Sequence, residues 1–397
     1  MTTVGPTESV MWQKQLSLPK AKVSDQAIND KYESGEQRIV TEANREKLPT
    51  LVEQLKKPGY MELRPFYQRR KRWDAERQSR LIESFIMNVP VPPIFLFERN
   101  FNSYEVMDGQ QRITAIREFY ENKLKLTGLE RWPELNGRTY QQLPSKIRAG
   151  IDRRSISSVV LLKESAPDEE EAMLLRQLVF ERLNTGGVKL THQEIRNALY
   201  QSRFNDLLLE LAKADAFREC WGIPNVTEAE EVAPSDELLE NSMYRKMGDI
   251  ELVLRFFALR HVQNFSGGIQ TFMTRYTIRA QQFTNEDLAI LRELFEWTFS
   301  MANRIFGEFV FRPYLLTKKK WARLPHRAFY DAVMVGLSRH TASKTTLTLK
   351  SKEIMEMTQK LFETHPSGTF TGRGNSRKDI ENRIDLFDQM LDSVLHS

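Results

Sequence analysis

A strand pattern changes to a helix pattern at Asp108-Gly109, and this junction constrains the fold more than any other feature of the sequence. Tyr104 to Met107 alternates as a strand does, whereas apolar side chains recur at helical spacing from Gln110 onward. An earlier apolar run, Ile94 to Phe97, is also typical of a strand, and Asn100 to Ser103 between the two runs is typical of a hairpin turn. The sequence therefore predicts a strand, a hairpin, a second strand and a helix in direct succession.

The neighbouring segments extend this pattern into a small mixed α/β domain. Asp74 occupies an N-cap position ahead of a helix with one apolar stripe, Ala75 to Met87, and Pro90 follows the helix. A further apolar strand run, Ser158 to Leu162, comes after a polar connection. We predict that this domain spans residues 41–165 and follows a polar N-terminal arm at residues 1–40.

Residues 166–397 have a mainly helical pattern. Thr191 and Glu194 form a capping box at the start of one predicted helix. The helical patterns cover roughly residues 168–183, 191–211, 236–263, 285–306, 326–339, 351–363 and 377–395. The predicted fold class is therefore α+β, with a small mixed-sheet N-terminal domain followed by an all-α C-terminal domain that binds DNA or a partner.

The composition excludes several classes of protein. No stretch approaches the ~18 unbroken apolar residues that a membrane span needs, and Met1 to Asp30 has no continuous apolar region of the kind found in secretory signals. The single cysteine, Cys220, cannot form an internal disulfide or a cysteine zinc site. We expect a cytoplasmic protein with no membrane partner.

The Asp108-Gly109 junction also contains the residues that best fit a ligand site. A helix that begins directly after a glycine turn directs unpaired backbone N–H groups at an anion. Arg112 in the first turn offers a bidentate fork to phosphate oxygens, and Asp108 is placed to hold Mg²⁺ beside them. Gln110 and Gln111 add neutral donors and acceptors. On local chemistry alone, an ordinary turn and helix cap explain the same residues.

Two basic segments combine positive charge with aromatic side chains, as nucleic-acid-binding surfaces do. The first, Arg64 to Asp74, is explained equally well as a solvated basic loop. The second, Phe309 to Phe329, is the preferred nucleic-acid surface, although its aromatic residues fit the core of a helical domain equally well. The candidate nucleic-acid contacts are Arg70, Lys71, Arg72, Lys318, Lys319, Lys320, Trp321, Arg323 and Arg327.

Several motifs, taken in order, resemble a known family, the ParB/sulfiredoxin-like domain called domain of unknown function 262. That domain forms the first part of GmrSD-type modification-dependent restriction systems and of several phage-defence effectors. The similar motifs are Arg64-Pro65-Phe66-Tyr67-Gln68-Arg69, Leu81-Ile82-Glu83-Ser84-Phe85, Pro90-Val91-Pro92-Pro93-Ile94, Asp108-Gly109-Gln110-Gln111-Arg112, Phe180 to Gly187 and Leu190 to Ala198. The resemblance covers about residues 40–260.

This resemblance implies a site for a nucleoside triphosphate (NTP) with Mg²⁺, and NTP hydrolysis coupled to DNA. Carried onto this chain, the catalytic residues are Asp108, Gln111 and Arg112, with Asp108 as the metal ligand. The further nucleotide-binding candidates are Gln68, Arg69, Gly109, Gln110, Thr114, Asn184 and Arg196.

Three functions follow from the resemblance. The first is an NTP-hydrolysing sensor subunit of a bacterial anti-phage or modification-dependent restriction system that acts on DNA. Two-domain members of the family usually carry a His-Asn-His-type nuclease domain, and residues 265–397 show no such motif, so a separate nuclease or effector subunit is the expected partner. The second is a non-enzymatic, nucleotide-gated DNA-binding adaptor, and the third is a ParB-like nuclease. The preferred base and the formation of a homo-oligomer stay open.

Overall fold

The computed structural model describes residues 3–13, 24–26, 29–30, 41–62, 73–162, 168–183, 190–225, 235–365, 368–372 and 374–396. The chain divides into two compact units. Residues 21–189 form the α/β unit, and residues 1–20 together with 190–397 form the helical unit. The first helix, α1 (Pro6–Val10), therefore belongs to the helical unit.

The α/β unit is built on a five-stranded mixed sheet. Its strands are β1 (Thr41–Lys47), β2 (Met61–Glu62), β3 (Ile94–Asn100), β4 (Ser103–Asp108) and β5 (Ser155–Leu161). They lie in the order β1-β5-β3-β4-β2, in which β1–β5 and β3–β4 are antiparallel while β3–β5 and β2–β4 are parallel. Its helices are α2 (Leu48–Leu55), α3 (Ala75–Met87), α4 (Gln110–Tyr120), α5 (Ser145–Asp152) and α6 (Glu169–Leu183).

Both faces of this sheet are covered. One face contributes Ile94, Leu96 and Val106 to a core shared with α2 to α5. On the other face, Arg176 of α6 pairs with the buried carboxylate of Glu105, and its guanidinium lies 5.4 Å from the centroid of the Phe97 ring. These contacts place α6 in the α/β unit, which therefore extends to residue 189 and beyond the predicted boundary at residue 165.

Helix α3 shows how closely local sequence sets the element boundaries. It begins after Asp74, as predicted, because the carboxylate of this N-cap residue accepts a hydrogen bond from the Arg77 N–H at 2.7 Å. It ends at Met87, where Asn88 adopts the left-handed conformation with φ of 60°.

The helical unit packs its helices around one large core rich in phenylalanine. Beyond α1, its helices are α7 (His192–Leu199), α8 (Arg203–Ala212), α9 (Asp215–Trp221), α10 (Asp236–Glu240), α11 (Ser242–Arg245), α12 (Gly248–Leu259), α13 (Ile269–Ala280), α14 (Asn285–Phe306), α15 (Arg327–Ser338), α16 (Lys344–Leu349), α17 (Ser351–Thr364) and α18 (Arg377–His396). Among the helices of the described ranges, none combines the length and the apolar character needed to cross a membrane.

The small mixed sheet followed by a helical region is confirmed, although several predicted elements differ. The predicted helix at residues 236–263 is divided into α10, α11 and α12, and α13 lies in a stretch for which no helix was predicted. The predicted helix at residues 191–211 is divided, because Ser202 caps a new helix by accepting a hydrogen bond from the Asn205 N–H at 3.2 Å. The C-terminal region is also not entirely helical, since β6 (Tyr314–Leu315) and β7 (Lys320–Trp321) form a short antiparallel hairpin.

Helix α1 buries a carboxylate in the helical unit. Glu8 is fully buried, and its Oε1 atom lies 3.0 Å from Arg260 Nη1, 2.8 Å from His261 Nε2 and 2.7 Å from the hydroxyl oxygen of Tyr276. Burial alone would raise the pKa of Glu8, but the hydrogen bond to His261 and the charge of Arg260 outweigh it and hold the pKa below its ordinary value. The N-terminal segment is therefore fixed to the helical unit by a buried ionic cluster.

We expect Glu8→Ala to lower the free energy of unfolding by about 3–5 kcal/mol, because it leaves Arg260 buried without its carboxylate. Urea unfolding followed by circular dichroism measures this loss. Since folding lowers the pKa of Glu8, its contribution is complete above the ordinary value of 4.5 and disappears as the pH falls through the lowered pKa. The difference between the two proteins should therefore shrink in acid.

Glu356→Ala is the matched control, since Glu356 is exposed on α17 of the same unit. It should change the free energy of unfolding by less than about 0.5 kcal/mol. An equal, small effect of both substitutions at neutral pH would contradict a stabilising role of the Glu8 cluster.

Candidate functional site

The chain turns from β4 into α4 at Gly109, which has a φ of 95°. This turn also needs glycine for steric reasons, because a Cβ atom at this position would lie 2.6 Å from Cγ2 of Ile94. The first hydrogen bond of α4 runs from the Ile113 N–H to the Gly109 carbonyl at 3.0 Å. The start of α4 therefore has the geometry expected of an anion-binding helix N-terminus.

A β-bulge precedes the turn. Val106 pairs with Leu96 and Asp108 pairs with Phe95, so Met107 has no partner in the register of the two strands. Such an extra residue bends its strand and redirects the side chains that follow it. The bulge thus sets the direction in which the Asp108 carboxylate points.

Asp108 and Arg112 form an ion pair across the first turn of α4. Arg112 Nη2 lies 2.5 Å from Asp108 Oδ2, and the same nitrogen donates to the Pro93 carbonyl at 3.2 Å. The Asp108 side chain is 37% exposed whereas that of Arg112 is 14% exposed, so the carboxylate faces solvent while the guanidinium lies against the protein. Arg112 Nε is buried and has no hydrogen-bond partner among the described residues.

The remaining predicted residues of this motif lie beside that pair. Gln111 Oε1 accepts a hydrogen bond from the Trp73 N–H at 3.2 Å, which ties the start of α4 to the segment before α3. Gln110 is buried at the first position of α4, and Thr114 is half-buried one turn later. The structure therefore brings the predicted residues at 108–114 together on one turn and one helix, and their binding role stays a prediction.

Six other predicted site residues lie outside the described residues, namely Gln68, Arg69, Arg70, Lys71, Arg72 and Asn184.

Arg196 is a core residue of the helical unit. It is fully buried, and its guanidinium donates to Gln193 at 2.9 Å, to the Gln270 side chain at 3.0 Å and to Glu251 at 3.0 Å. These bonds give Arg196 a structural role in the helical unit, and its contact with the nucleotide stays a prediction.

The predicted nucleic-acid surface divides into an exposed basic part and a buried aromatic part. Lys318, Lys319 and Lys320 are exposed in the β6–β7 hairpin, and Arg323 and Arg327 that follow are also exposed. Arg327 Nη1 lies 3.5 Å from Glu251 Oε1, so its charge is partly neutralised, whereas the charge of the three lysines is available to a phosphate backbone.

The aromatic residues of the same segment serve mainly the core. Phe311 and Phe329 are fully buried. The half-buried Trp321 ring stacks on Phe309 with 5.9 Å between ring centroids and meets Phe306 edge-on at 6.2 Å. Of the two alternatives left open by the sequence, core packing explains these rings better than stacking on bases does.

Sequence reasoning missed the part that Pro93 plays in holding Arg112. The signal was present in Pro90-Val91-Pro92-Pro93, because successive prolines favour extended backbone, whose carbonyls need donors from elsewhere. Within the described ranges, no group of three or more His, Cys, Asp and Glu side chains is placed to hold a metal ion.

Comparison with known proteins supports part of the resemblance. Residues 50–201 match the family described as GmrSD restriction endonuclease, N-terminal domain. The match contains the Asp108–Arg112 turn and α7, and it supports a relationship with GmrSD-type restriction systems. The wider likeness to ParB and sulfiredoxin stays a prediction. No characterised protein and no solved structure matches the chain significantly.

We expect Gly109→Ala to destabilise the α/β unit by about 1–3 kcal/mol, because the substitution adds a Cβ atom both at positive φ and against Ile94. The matched control is Gly137→Ala, since Gly137 has a φ of 82° but nothing within 4 Å of its added Cβ. Thermal unfolding of both variants separates the backbone strain, which they share, from the steric clash. Equal destabilisation would contradict the close packing of the turn on Ile94.

Proposed function

We propose that this chain is a nucleotide-hydrolysing subunit of a restriction system, and that its α/β unit binds a nucleoside triphosphate with Mg²⁺ at the Asp108–Arg112 turn. One observation carries the proposal. Within the segment that matches the GmrSD family, a carboxylate and a guanidinium lie together at the start of a helix, after a turn whose positive φ and close contact with Ile94 favour glycine.

The residues of the turn suit the two parts of the ligand. Arg112 has a buried Nε atom without a partner among the described residues, so a phosphate oxygen would supply the acceptor that this atom lacks. Mg²⁺ is usually held in proteins by one or two carboxylates together with phosphate oxygens, and Asp108 is a half-exposed carboxylate at the same place. Bound Mg²⁺ would neutralise charge on the phosphates.

The Asp108–Arg112 ion pair favours a ligand that brings an anion and a divalent cation together. Each group neutralises the other at a separation of 2.5 Å. An anion that approaches Arg112 must compete with Asp108, whereas an anion that brings a divalent cation offers each group a new partner. We therefore expect nucleotide binding to depend strongly on Mg²⁺.

Gln111 completes the proposed catalytic group. Its Oε1 atom accepts the Trp73 N–H, and this contact holds the side chain beside the first turn of α4. A glutamine amide in such a position can orient the water that attacks the terminal phosphate. Gln111 would then position water, Asp108 would hold the cation and Arg112 would hold the phosphates.

The helical unit supplies the proposed contact with DNA. Lys318, Lys319 and Lys320 are exposed side by side, and they make no ion pair with the described residues. Lysines at such a surface bind the phosphate backbone without reading its sequence. DNA cleavage would then fall to a separate nuclease subunit.

The direct test is phosphate release from ATP, GTP, CTP and UTP with Mg²⁺, with and without double-stranded DNA. We expect Asp108→Asn to reduce turnover by about 100-fold because the cation loses its carboxylate. Arg112→Ala should weaken nucleotide binding by at least about tenfold through the lost phosphate contacts.

Arg117→Ala is the control, since it removes an arginine from the same helix away from the turn. It should leave both turnover and binding unchanged. A folded chain that neither binds nor hydrolyses any of the four nucleotides would contradict the proposal. Tight binding without turnover, even with DNA, would instead support the nucleotide-gated adaptor.

A further inference from the structure

A cavity of about 450 Å³ opens beside the sheet of the α/β unit. Its floor is apolar and includes Ile94 and Leu96 of β3. Its walls carry polar side chains from three other elements, Glu46 of β1, Gln54 of α2 and Tyr104 of β4. The volume lies within the range of small-molecule sites, which combine an apolar lining with a few polar groups.

Glu46 is an unusual residue for its position. It pairs in register with Ile156, which is buried in the core, and paired residues of neighbouring strands share one face of the sheet. A carboxylate therefore stands on the face that the rest of the sheet uses for its core. Burial raises the pKa of Glu46, although the hydrogen bond from Gln54 opposes this shift.

One hydrogen-bond acceptor on this wall lacks a donor, although Arg45, Lys47 and Thr50 also line the cavity. Gln54 donates to Glu46, and its own Oε1 atom is buried without a partner among the described residues. A buried acceptor without a donor is costly, so this oxygen points to a ligand that brings N–H or O–H groups.

Two tyrosines give the cavity an aromatic side. The rings of Tyr60 and Tyr104 meet edge-on at 5.5 Å and 77°. Burial and the nearby charge of Glu46 raise the pKa of Tyr60 to about 12, so its hydroxyl stays protonated. Aromatic rings beside hydrogen-bonding groups are the features with which proteins bind single bases.

The cavity lies within reach of the Asp108–Arg112 turn. Ile94 lines the cavity and is also the residue against which Gly109 packs. Tyr104 and Asp108 belong to the same strand, four residues apart, which corresponds to about 13 Å along the strand. A nucleoside triphosphate can span this separation with its base at one end and its terminal phosphate at the other.

From this geometry we infer that the cavity binds the base of the nucleotide and that it favours guanine. Guanine presents two adjacent donors, N1–H and the N2 amino group, to the acceptors Glu46 and Gln54, whereas uracil presents one N–H on the corresponding edge. The inference rests on the proposed function, because it takes the phosphates to lie at Arg112.

Calorimetric titration of the full chain with Mg²⁺ and four ligands tests it. The ligands are GTP, UTP, guanosine without phosphates and inorganic tripolyphosphate without a base. We expect GTP to bind about tenfold more tightly than UTP, the ratio that 1.4 kcal/mol of hydrogen bonding gives. Glu46→Gln should abolish this preference and weaken guanosine binding, with tripolyphosphate unaffected.

Glu53→Gln is the matched control, since Glu53 is an exposed carboxylate on α2 outside the cavity lining. It should behave as the wild type toward all four ligands. Arg112→Ala should show the opposite pattern to Glu46→Gln, with tripolyphosphate binding lost and guanosine binding kept.

The outcomes separate the two proposals. Equal affinity for GTP and UTP, unchanged by Glu46→Gln, would overturn the base pocket and leave the phosphate site standing. Guanosine binding that depends on Glu46, without any tripolyphosphate binding, would support the pocket and contradict the proposed phosphate site. Binding of guanine only within single-stranded DNA, and not as GTP, would overturn the inference. Because the comparison of GTP with UTP uses the wild-type protein, its result does not depend on the folding of any variant.

Discussion

The close approach of the Gly109 backbone to the Ile94 side chain is the constraint on which the geometry of the α/β unit's site depends. It lets α4 begin directly where β4 ends, so that Asp108 and Arg112 face each other across one helical turn. The same contact holds β3, the first strand of the hairpin. The carbonyl of Pro93, directly before β3, accepts a hydrogen bond from the Arg112 guanidinium. The contact between Gly109 and Ile94 thereby sets the positions of the Asp108 carboxylate, the Arg112 guanidinium and the N-terminus of α4.

Much of this region could be predicted from the sequence because its signals are local. The Asp74 cap, the hairpin between β3 and β4 and the glycine turn each depend on a few consecutive residues with strong backbone preferences. The same holds for α14, whose Asn285–Phe306 bounds agree with its apolar period and its Thr284 cap. The grouping of the residues at 108–114 followed from these elements alone.

The features that sequence reasoning missed depend on contacts between distant segments. Strand β1 reads Thr-Glu-Ala-Asn-Arg-Glu-Lys and carries no apolar alternation, because it is an exposed edge strand that β5 orders by pairing. The domain boundary depended on the pairing of Arg176 with Glu105, 71 residues apart. Arg196 was a candidate only through the family resemblance, and its structural bonds to Gln270 and Glu251 join segments that are more than 50 residues apart in the sequence.

The central claim is that the start of α4 holds the phosphates of a nucleotide. The most direct measurement is a crystal structure of the full chain with Mg²⁺ and a non-hydrolysable GTP analogue. We expect the terminal phosphates to lie at the N-terminus of α4 within hydrogen-bond distance of Arg112, with the cation bound to Asp108. A nucleotide bound elsewhere, with the Asp108–Arg112 ion pair intact at 2.5 Å, would contradict it.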